Sequence, residues 1–515
     1  MRTRASLRMA LGVSVLLASA PVANRGAGLL APRPPDAAPE GVSSSRDTGA
    51  APLPAAPSRA AGPEPRRESS GGAPAWDPTA LDPERRLVST SRETFVRAEP
   101  DPRSTKLGYL RAGAKVTRST EPVGRRGCAG GWYRVAPEGY VCVGKTASLD
   151  LGHPMAVTAE RRPDRRSALP YEYGEPRGVP PLLYDHVPSG GELRRGEAGA
   201  ARRRSAAGAW HGLPSSSVPE FLRDGRPAPT LFGYARSSPG EPQRAPYRSG
   251  FAFLSLFETD AGAFGLTTEM NVVSLARVER VAPSDFAGIA LDDAGLPVVF
   301  VKVRGASLYA GDPVTQGLTP ERGLAYREAV PITGRRVTAA GASYLETRTG
   351  GWLLDRNLVR VDAVRPPRGF DRPGRTWLDV SIVQQTLVVY DGIRPVFATL
   401  VSTGAGGLGD PEETRATIRG QFRIHTKHVT ATMSGDEVGG EFALSDVPYV
   451  QYFSEGYALH AAYWHDAFGT PKSHGCINLS PSDARFLFHF TDPPVPMAWH
   501  GAFSLRRGTL ISIHP

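Results

Sequence analysis

Trp377-Leu378-Asp379-Val380-Ser381-Ile382 runs into Gln385-Thr386-Leu387-Val388-Val389-Tyr390, which turns at Asp391-Gly392 and returns through the apolar stretch 396–402. Alternating apolar and polar side chains repeat with the two-residue period of a strand, and Asp-Gly favours a tight reversal, so these residues predict a β meander. Gly420-Gln421-Phe422-Arg423-Ile424 supplies a further strand, and residues 509–513 end the chain on another. Ser480-Pro481-Ser482-Asp483 is a helix-start signature. Ser480 suits the N-cap, Pro481 the first helical position, and Asp483 the positive helix end. A short helix is therefore expected over 481–490, inside a β domain spanning 375–515.

Working outward, strand signals fill residues 246–365: 251–257, 265–268, 298–303, Arg336-Val337 and Trp352-Leu353-Leu354. Gly350-Gly351-Trp352 repeats Gly130-Gly131-Trp132, so a middle β domain is expected, with a small SH3-like module at its end. Residues 150–245 alternate Pro, Arg and Gly with aromatic islands such as Tyr171-Glu172-Tyr173 and read as a linker with ordered patches. Short β-branched and aromatic runs between Gly and Pro turns return over 87–149 and predict a small barrel. Phe95-Val96-Arg97 and the later Gly-Trp-Tyr and Gly-Tyr-Val runs resemble a bacterial SH3 domain. That resemblance implies docking to cell-wall glycan or peptide; a spacer without a ligand is the bland alternative.

Residues 24–86 are rich in Ala, Pro, Gly, Ser and Arg and lack apolar periodicity, the composition of a disordered tether. Arg2, Arg4 and Arg8, the apolar run 9–18 and Ala18-Ser19-Ala20 read as an export signal over 1–23. The run is too short to span a bilayer, so the expected location is the periplasm or cell wall. With 515 residues, several domains are expected. The 57 Gly and 48 Pro favour turn-rich β structure over helical bundles. The formal charge of +10 favours anionic partners, but many arginines fall in low-complexity stretches, so the charge does not single out nucleic acid.

Cys128 and Cys142 lie in one β-rich segment and form a candidate disulfide in an oxidising compartment. Cys476 has no partner and is a candidate reactive thiol. A thiol attacks a carbonyl as thiolate, so it needs a base, oxyanion donors and an opening. Ser473-His474-Gly475-Cys476-Ile477-Asn478-Leu479 supplies much of this. Gly475 permits close backbone approach, and the N–H groups of Gly475 and Cys476 are candidate oxyanion donors. His460, after the strand-like Tyr457-Ala458-Leu459, is the candidate general base, with the Ala461 carbonyl to hold its other nitrogen. On residues alone two other readings stay open: an inert core cysteine, and a zinc site from His460, His465, His474 and Cys476. No Cys-x-x-Cys spacing supports the zinc.

Leu459-His460-Ala461, followed by Gly469-Thr470-Pro471-Lys472-Ser473-His474-Gly475-Cys476-Ile477-Asn478-Leu479, closely resembles the signature of L,D-transpeptidases of the YkuD type. The resemblance implies a mainly β chain ending in a transpeptidase β-sandwich with a short helix after the cysteine. It implies that Cys476 forms an acyl-enzyme, that His460 is the base and that His474 shapes the site. Ser473, Asn478, Glu455, Gly456 and Phe442 fall where the family contacts substrate, Glu455 and Gly456 at a strand edge and Phe442 as a lid aromatic. The implied reaction joins peptidoglycan stem peptides in 3→3 cross-links, releases D-Ala, needs no metal or organic cofactor and is sensitive to carbapenems. Resolution of the acyl-enzyme by water gives an L,D-carboxypeptidase, and resolution by a protein amine attaches a protein to the wall. Papain-like endopeptidases are disfavoured because their cysteine precedes the histidine. A non-catalytic wall-binding protein is the alternative from another class.

Overall fold

The computed structural model describes residues 81–197, 210, 217–232, 241–291, 293, 295–435, 442–504 and 506–515. The expected export signal, and the tether as far as residue 80, lie outside the described residues. Strand accounts for 44% and helix for 9%, in keeping with the mainly β expectation. No helix among the described residues is long and apolar enough to cross a membrane.

The meander forms as Thr376–Ser381, Thr386–Asp391 and Arg394–Leu400, paired antiparallel in that order. The final strand, Leu510–His514, joins parallel to Thr376–Ser381, and Gly420–Arg423 closes the far edge. Trp377 stacks on Tyr390 with ring centres 4.3 Å apart, and its indole N–H is satisfied by the Gly392 carbonyl at 2.8 Å. Both rings are buried, whereas Phe422 is only half-buried. A second sheet runs through Thr426–Gly435, Phe442–Ser454, Tyr457–Ala461 and Ile477–Leu479, the last two strands parallel. Helix Pro481–Phe490 packs against Phe442–Ser454 and Tyr457–Ala461. Ser480 Oγ accepts the Asp483 N–H at 3.2 Å, satisfying a donor that the helix start would leave open.

The upstream segments are built into this domain rather than strung beside it. Strand Arg248–Thr259 runs parallel to the start of Phe442–Ser454, with Arg248 opposite Phe442. On the other flank Lys106–Leu110 pairs with Gly501–Phe503, so one sheet continues into the N-terminal module. There Cys128 and Cys142 are joined in a disulfide, with Cα atoms 5.8 Å apart. Glu172–Pro176 pairs with both Arg248–Thr259 and Val278–Arg280. Phe286, Val298 and Phe300 share one hydrophobic core with Trp377, Val388, Leu400 and Phe468.

One local path occurs twice. Strand Arg248–Thr259 turns at Asp260-Ala261 into Gly262–Thr267, reverses through Met270 at φ +64°, and continues as Val272–Ser274, a single 3₁₀ turn and Val278–Arg280. Strand Ala329–Ala339 turns at Gly341 into Ala342–Thr347, reverses through Gly350 and Gly351, and continues as Trp352–Leu354, a 3₁₀ turn and Leu358–Val361. Gly350 and Gly351 hold φ near +85°, a region that favours glycine because a side chain there crowds the following carbonyl.

Asp446 is fully buried at φ +49° and receives both terminal nitrogens of Arg111 and the Thr430 hydroxyl, while Tyr173 donates to its carbonyl at 2.7 Å. Arg111 belongs to the N-terminal module and Tyr173 to the segment expected as linker, so this knot ties three parts of the chain together.

Candidate active site

The parallel pairing of Tyr457–Ala461 with Ile477–Leu479 sets the site. Leu459 partners Ile477 and His460 partners Asn478. Cys476, directly before the second strand, therefore lies beside the Ala458 backbone, two residues from His460. His460 is 2% exposed and its Nδ1 lies 3.1 Å from the Ala461 carbonyl. A carbonyl only accepts, so Nδ1 carries the proton and Nε2 is left basic. Burial pushes the imidazole pKa down to about 4, opposed by that one hydrogen bond.

Cys476 is the free cysteine and is half-buried. Its Sγ lies 3.6 Å from the Gly456 carbonyl. Burial pushes the thiol pKa up to about 11, with the Ala458 backbone opposing. Cys476 packs against the buried cluster of Val447, Val450 and Ala458, as do Met433, Tyr452 and Trp464. At neutral pH, then, thiol and imidazole are both uncharged.

The loop before Cys476 is pinned from within. Gly475 adopts φ +122°, and a Cβ there would meet the Tyr457 ring at 2.8 Å. Its carbonyl accepts the Thr417 hydroxyl at 2.8 Å. Its N–H donates to Ser473 Oγ at 3.1 Å, and that hydroxyl donates to the Cys476 carbonyl. The expected oxyanion donor at Gly475 is thus spent inside the loop in this state. Ser473, expected at the substrate, is 5% exposed and serves as the loop's internal brace. Asn478, also expected at the substrate, is 2% exposed; its Nδ2 lies 2.9 Å from His465 Nε2, and its backbone bonds Ser402 in both directions. Both residues differ from expectation for one reason: a buried polar side chain takes partners inside the protein, although Asn478 Oδ1 has none among the described residues.

Glu455 and Gly456 are exposed in the turn joining Phe442–Ser454 to Tyr457–Ala461, not on a strand edge, with Gly456 at φ +74°. Only the Gly456 carbonyl reaches the sulfur. His474 is exposed, and its ring stacks on Phe442 with centres 6.1 Å apart and planes 12° from parallel. Ala461 is fully buried, consistent with use of its carbonyl alone.

Trp464, Tyr452 and Tyr457 escaped the sequence reading. Trp464 lies 5.7 Å from the His460 ring, centre to centre. Tyr452 and Tyr457 both feel the Cys476 charge, and burial holds their hydroxyls above the usual phenol range. Tyr457 belongs to the strand pattern Tyr457-Ala458-Leu459, and its place two residues before Leu459 is the one signal the sequence carries for it. Among the described residues no three His, Cys, Asp or Glu side chains are arranged to hold a metal ion.

Residues 375–512 match the family model of the YkuD L,D-transpeptidase catalytic domain. A curated Bacillus subtilis protein, YciB, named provisionally as an L,D-transpeptidase, is 25% identical over 138 residues, 22% of this chain and 59% of its own. The chain thus spans little more than half of that relative. Solved structures similar to this chain include an L,D-transpeptidase from Xylanimonas cellulosilytica, 22% identical over 29% of this chain and 65% of that one, with a TM-score of 0.21. The catalytic domain of the E. faecium L,D-transpeptidase is 23% identical over 27% and 96%, also at 0.21. L,D-transpeptidase 3 from Mycobacterium tuberculosis, in complex with a faropenem-derived adduct, is 20% identical over 36% and 78%, at 0.22.

Proposed function

We propose that the C-terminal domain is an L,D-transpeptidase acting on peptidoglycan stem peptides outside the cytoplasm, with Cys476 as nucleophile and His460 as general base. The observation that carries this reading is a buried imidazole, tied through Nδ1 to the Ala461 carbonyl, two residues along its strand from Ala458, whose backbone the one free cysteine meets, within the family match. In the first half-reaction Nε2 takes the thiol proton while sulfur bonds to the carbonyl at the L-centre of the diamino acid in a tetrapeptide donor. Collapse expels D-Ala, whose amine takes that proton from His460. The side-chain amine of a second stem then attacks the thioester, gives up its proton to His460 and frees the thiol. The product is a 3→3 cross-link. Buried Val447, Val450 and Ala458, against which Cys476 packs, supply a low-dielectric wall that strengthens interactions with the tetrahedral oxyanion.

Export is supported by the Cys128–Cys142 disulfide, which persists in oxidising compartments. For residues 87–149 we retain the SH3-like reading and place wall docking there.

The test is incubation of the full chain with a disaccharide-tetrapeptide and mass analysis of products. Cross-linked dimer with loss of D-Ala is the expected outcome; tripeptide alone assigns the carboxypeptidase reading. Cys476→Ala should abolish both products, and its carbapenem adduct should vanish with them. Product formation by Cys476→Ala would overturn the assignment.

A further inference from the structure

Between the base and the nucleophile the chain runs through a loop, residues 462–472, which forms no strand and is tied at its far end where the Gly469 and Lys472 N–H groups donate to the Val401 and Thr403 carbonyls at 2.9 Å. It nevertheless carries Trp464 against the His460 ring and His465 against Asn478. Asp466 follows directly. Arg327, from the segment leading into the second repeated unit, places its two terminal nitrogens 2.7 and 2.6 Å from the two Asp466 carboxylate oxygens, and reaches the Asp466 carbonyl at 3.3 Å. Ser284 donates its hydroxyl to the same carboxylate. Two residues on, Phe468 is fully buried and stacks on Phe286 at 6.0 Å, and Phe286 packs edge-on against Phe300.

Arg327 is built for this contact. Its backbone sits at φ +65°, which costs a non-glycine residue strain. Its guanidinium lies 4.9 Å from the Phe286 ring centre and 5.0 Å from that of Tyr326, and its side chain is 10% exposed although Asp466 is 55% exposed. A planar fork on a carboxylate fixes orientation as well as distance, which a lysine cannot do. Every one of these groups lies outside residues 375–512 except the loop they hold.

We propose that Arg327 is a positioning residue for the active site: its pairing with Asp466 fixes the loop that sets Trp464 and His465 around the Cys476–His460 pair. This rests on the reading of that pair as the catalytic dyad. Release of the loop would leave the fold intact but let the imidazole lose its orientation toward sulfur.

The probe is iodoacetamide, whose reaction with the full-length protein reports Cys476 alone because the other two cysteines are disulfide-bonded. Alkylation rate is followed against pH for wild type, Arg327→Gln, Arg327→Lys, Asp466→Asn and His460→Ala. For Arg327→Gln the expected result is a rate at neutral pH lower by about tenfold, a partial loss of the roughly 10²–10⁴-fold that a well-placed base contributes. The deficit should narrow at alkaline pH, where the thiolate forms unaided. Arg327→Lys should fall between, and Asp466→Asn should reproduce Arg327→Gln from the loop side, which keeps the test intact if one variant does not fold. A merely structural role lowers the melting temperature and leaves the pH profile where it was. Superimposed profiles for wild type and both pair-breaking variants, with His460→Ala distinct, overturn the positioning role alone. A His460→Ala profile that superimposes on wild type overturns the dyad beneath it.

Discussion

The two repeated units follow the same path but attach to the catalytic domain by different physics. The first lends its long strand, pairing Arg248, Ser249 and Gly250 with Phe442, Ala443 and Leu444. The second is preceded by an anchor of side chains, Arg327 on Asp466 and Phe286 on Phe468. Both nevertheless arrive at one loop. Gly250 lies so close to Tyr463 that a Cβ would fall 2.0 Å from the phenol oxygen, and Tyr463 packs on Trp464 at 5.0 Å. Backbone pairing commits a segment to the fold; a side-chain clamp tunes a segment already folded. Substitutions at the first attachment should therefore cost stability, and those at the second should cost geometry.

The largest loss is expected where the first attachment is tied to the N-terminal module. Arg111→Met leaves the buried Asp446 carboxylate without its counter-charge, and breaking such a pair costs about 3–5 kcal/mol. Arg111 holds the Asp446 carboxyl well below the usual carboxylate range against the pull of burial. A depressed acid pKa contributes stability above the unfolded value of 3.8 that is lost as pH falls below it. The gap between wild type and Arg111→Met in urea unfolding should accordingly close on acidification. A gap that stays constant with pH would show that lost packing, not charge, is responsible.

Next comes a seam of the second attachment, where the sign is opposite. Burial pushes the Asp483 pKa up to about 6, opposed by hydrogen bonds from Thr399, the Gly288 N–H and Ser480. Between the unfolded value of 3.8 and the folded value near 6, the unfolded chain has shed a proton that the folded chain keeps. Stability therefore falls as pH rises through that window, by roughly 2–3 kcal/mol in all, since each pKa unit is worth about 1.36. Asp483→Asn should flatten the slope; an unchanged slope would assign it to another group.

These attachments mark where the sequence stopped being informative. Trp377, Val388 and Tyr390 announced their strands because alternation is local, and the Ser473–Leu479 motif announced its chemistry because its residue types are chemically unusual together. Arg327 and Gly250 carried no such mark. Their meaning comes from Asp466 and Tyr463, more than a hundred residues away, and a single sequence holds no record of which distant residues meet. Ser473 and Asn478 misled for the converse reason: motif membership locates a residue near the chemistry but does not say which way its side chain faces. The repeated path was hidden because Met270 takes, at one turn, the left-handed conformation that Gly350 and Gly351 take at the other.

Gly250→Ala should cost less, about 1–3 kcal/mol, the usual range for overpacking a filled interior. Tyr463 cannot swing aside easily, since it is 5% exposed and its ring also lies 4.6 Å from that of Tyr173. Denaturant midpoints should fall while the slope of the transition stays constant. A midpoint equal to wild type would mean that the strand yields at this point.

The smallest change in stability is expected for Arg327→Gln, under about 1 kcal/mol, because Asp466 remains half in solvent where ion pairs contribute little. Its comparison with Gly250→Ala sharpens the contrast through the double variant. The two positions touch different residues of the loop, so their stability losses should add to within about 0.5 kcal/mol, as for independent sites. Their effects on Cys476 alkylation at neutral pH should not add. Once either substitution displaces the loop, Trp464 and His465 have already lost their places around His460, and the second substitution has little left to disturb. Multiplying rate losses in the double variant would mean that Tyr463 and Asp466 reach the site by separate routes, and that the two attachments do not converge on one element.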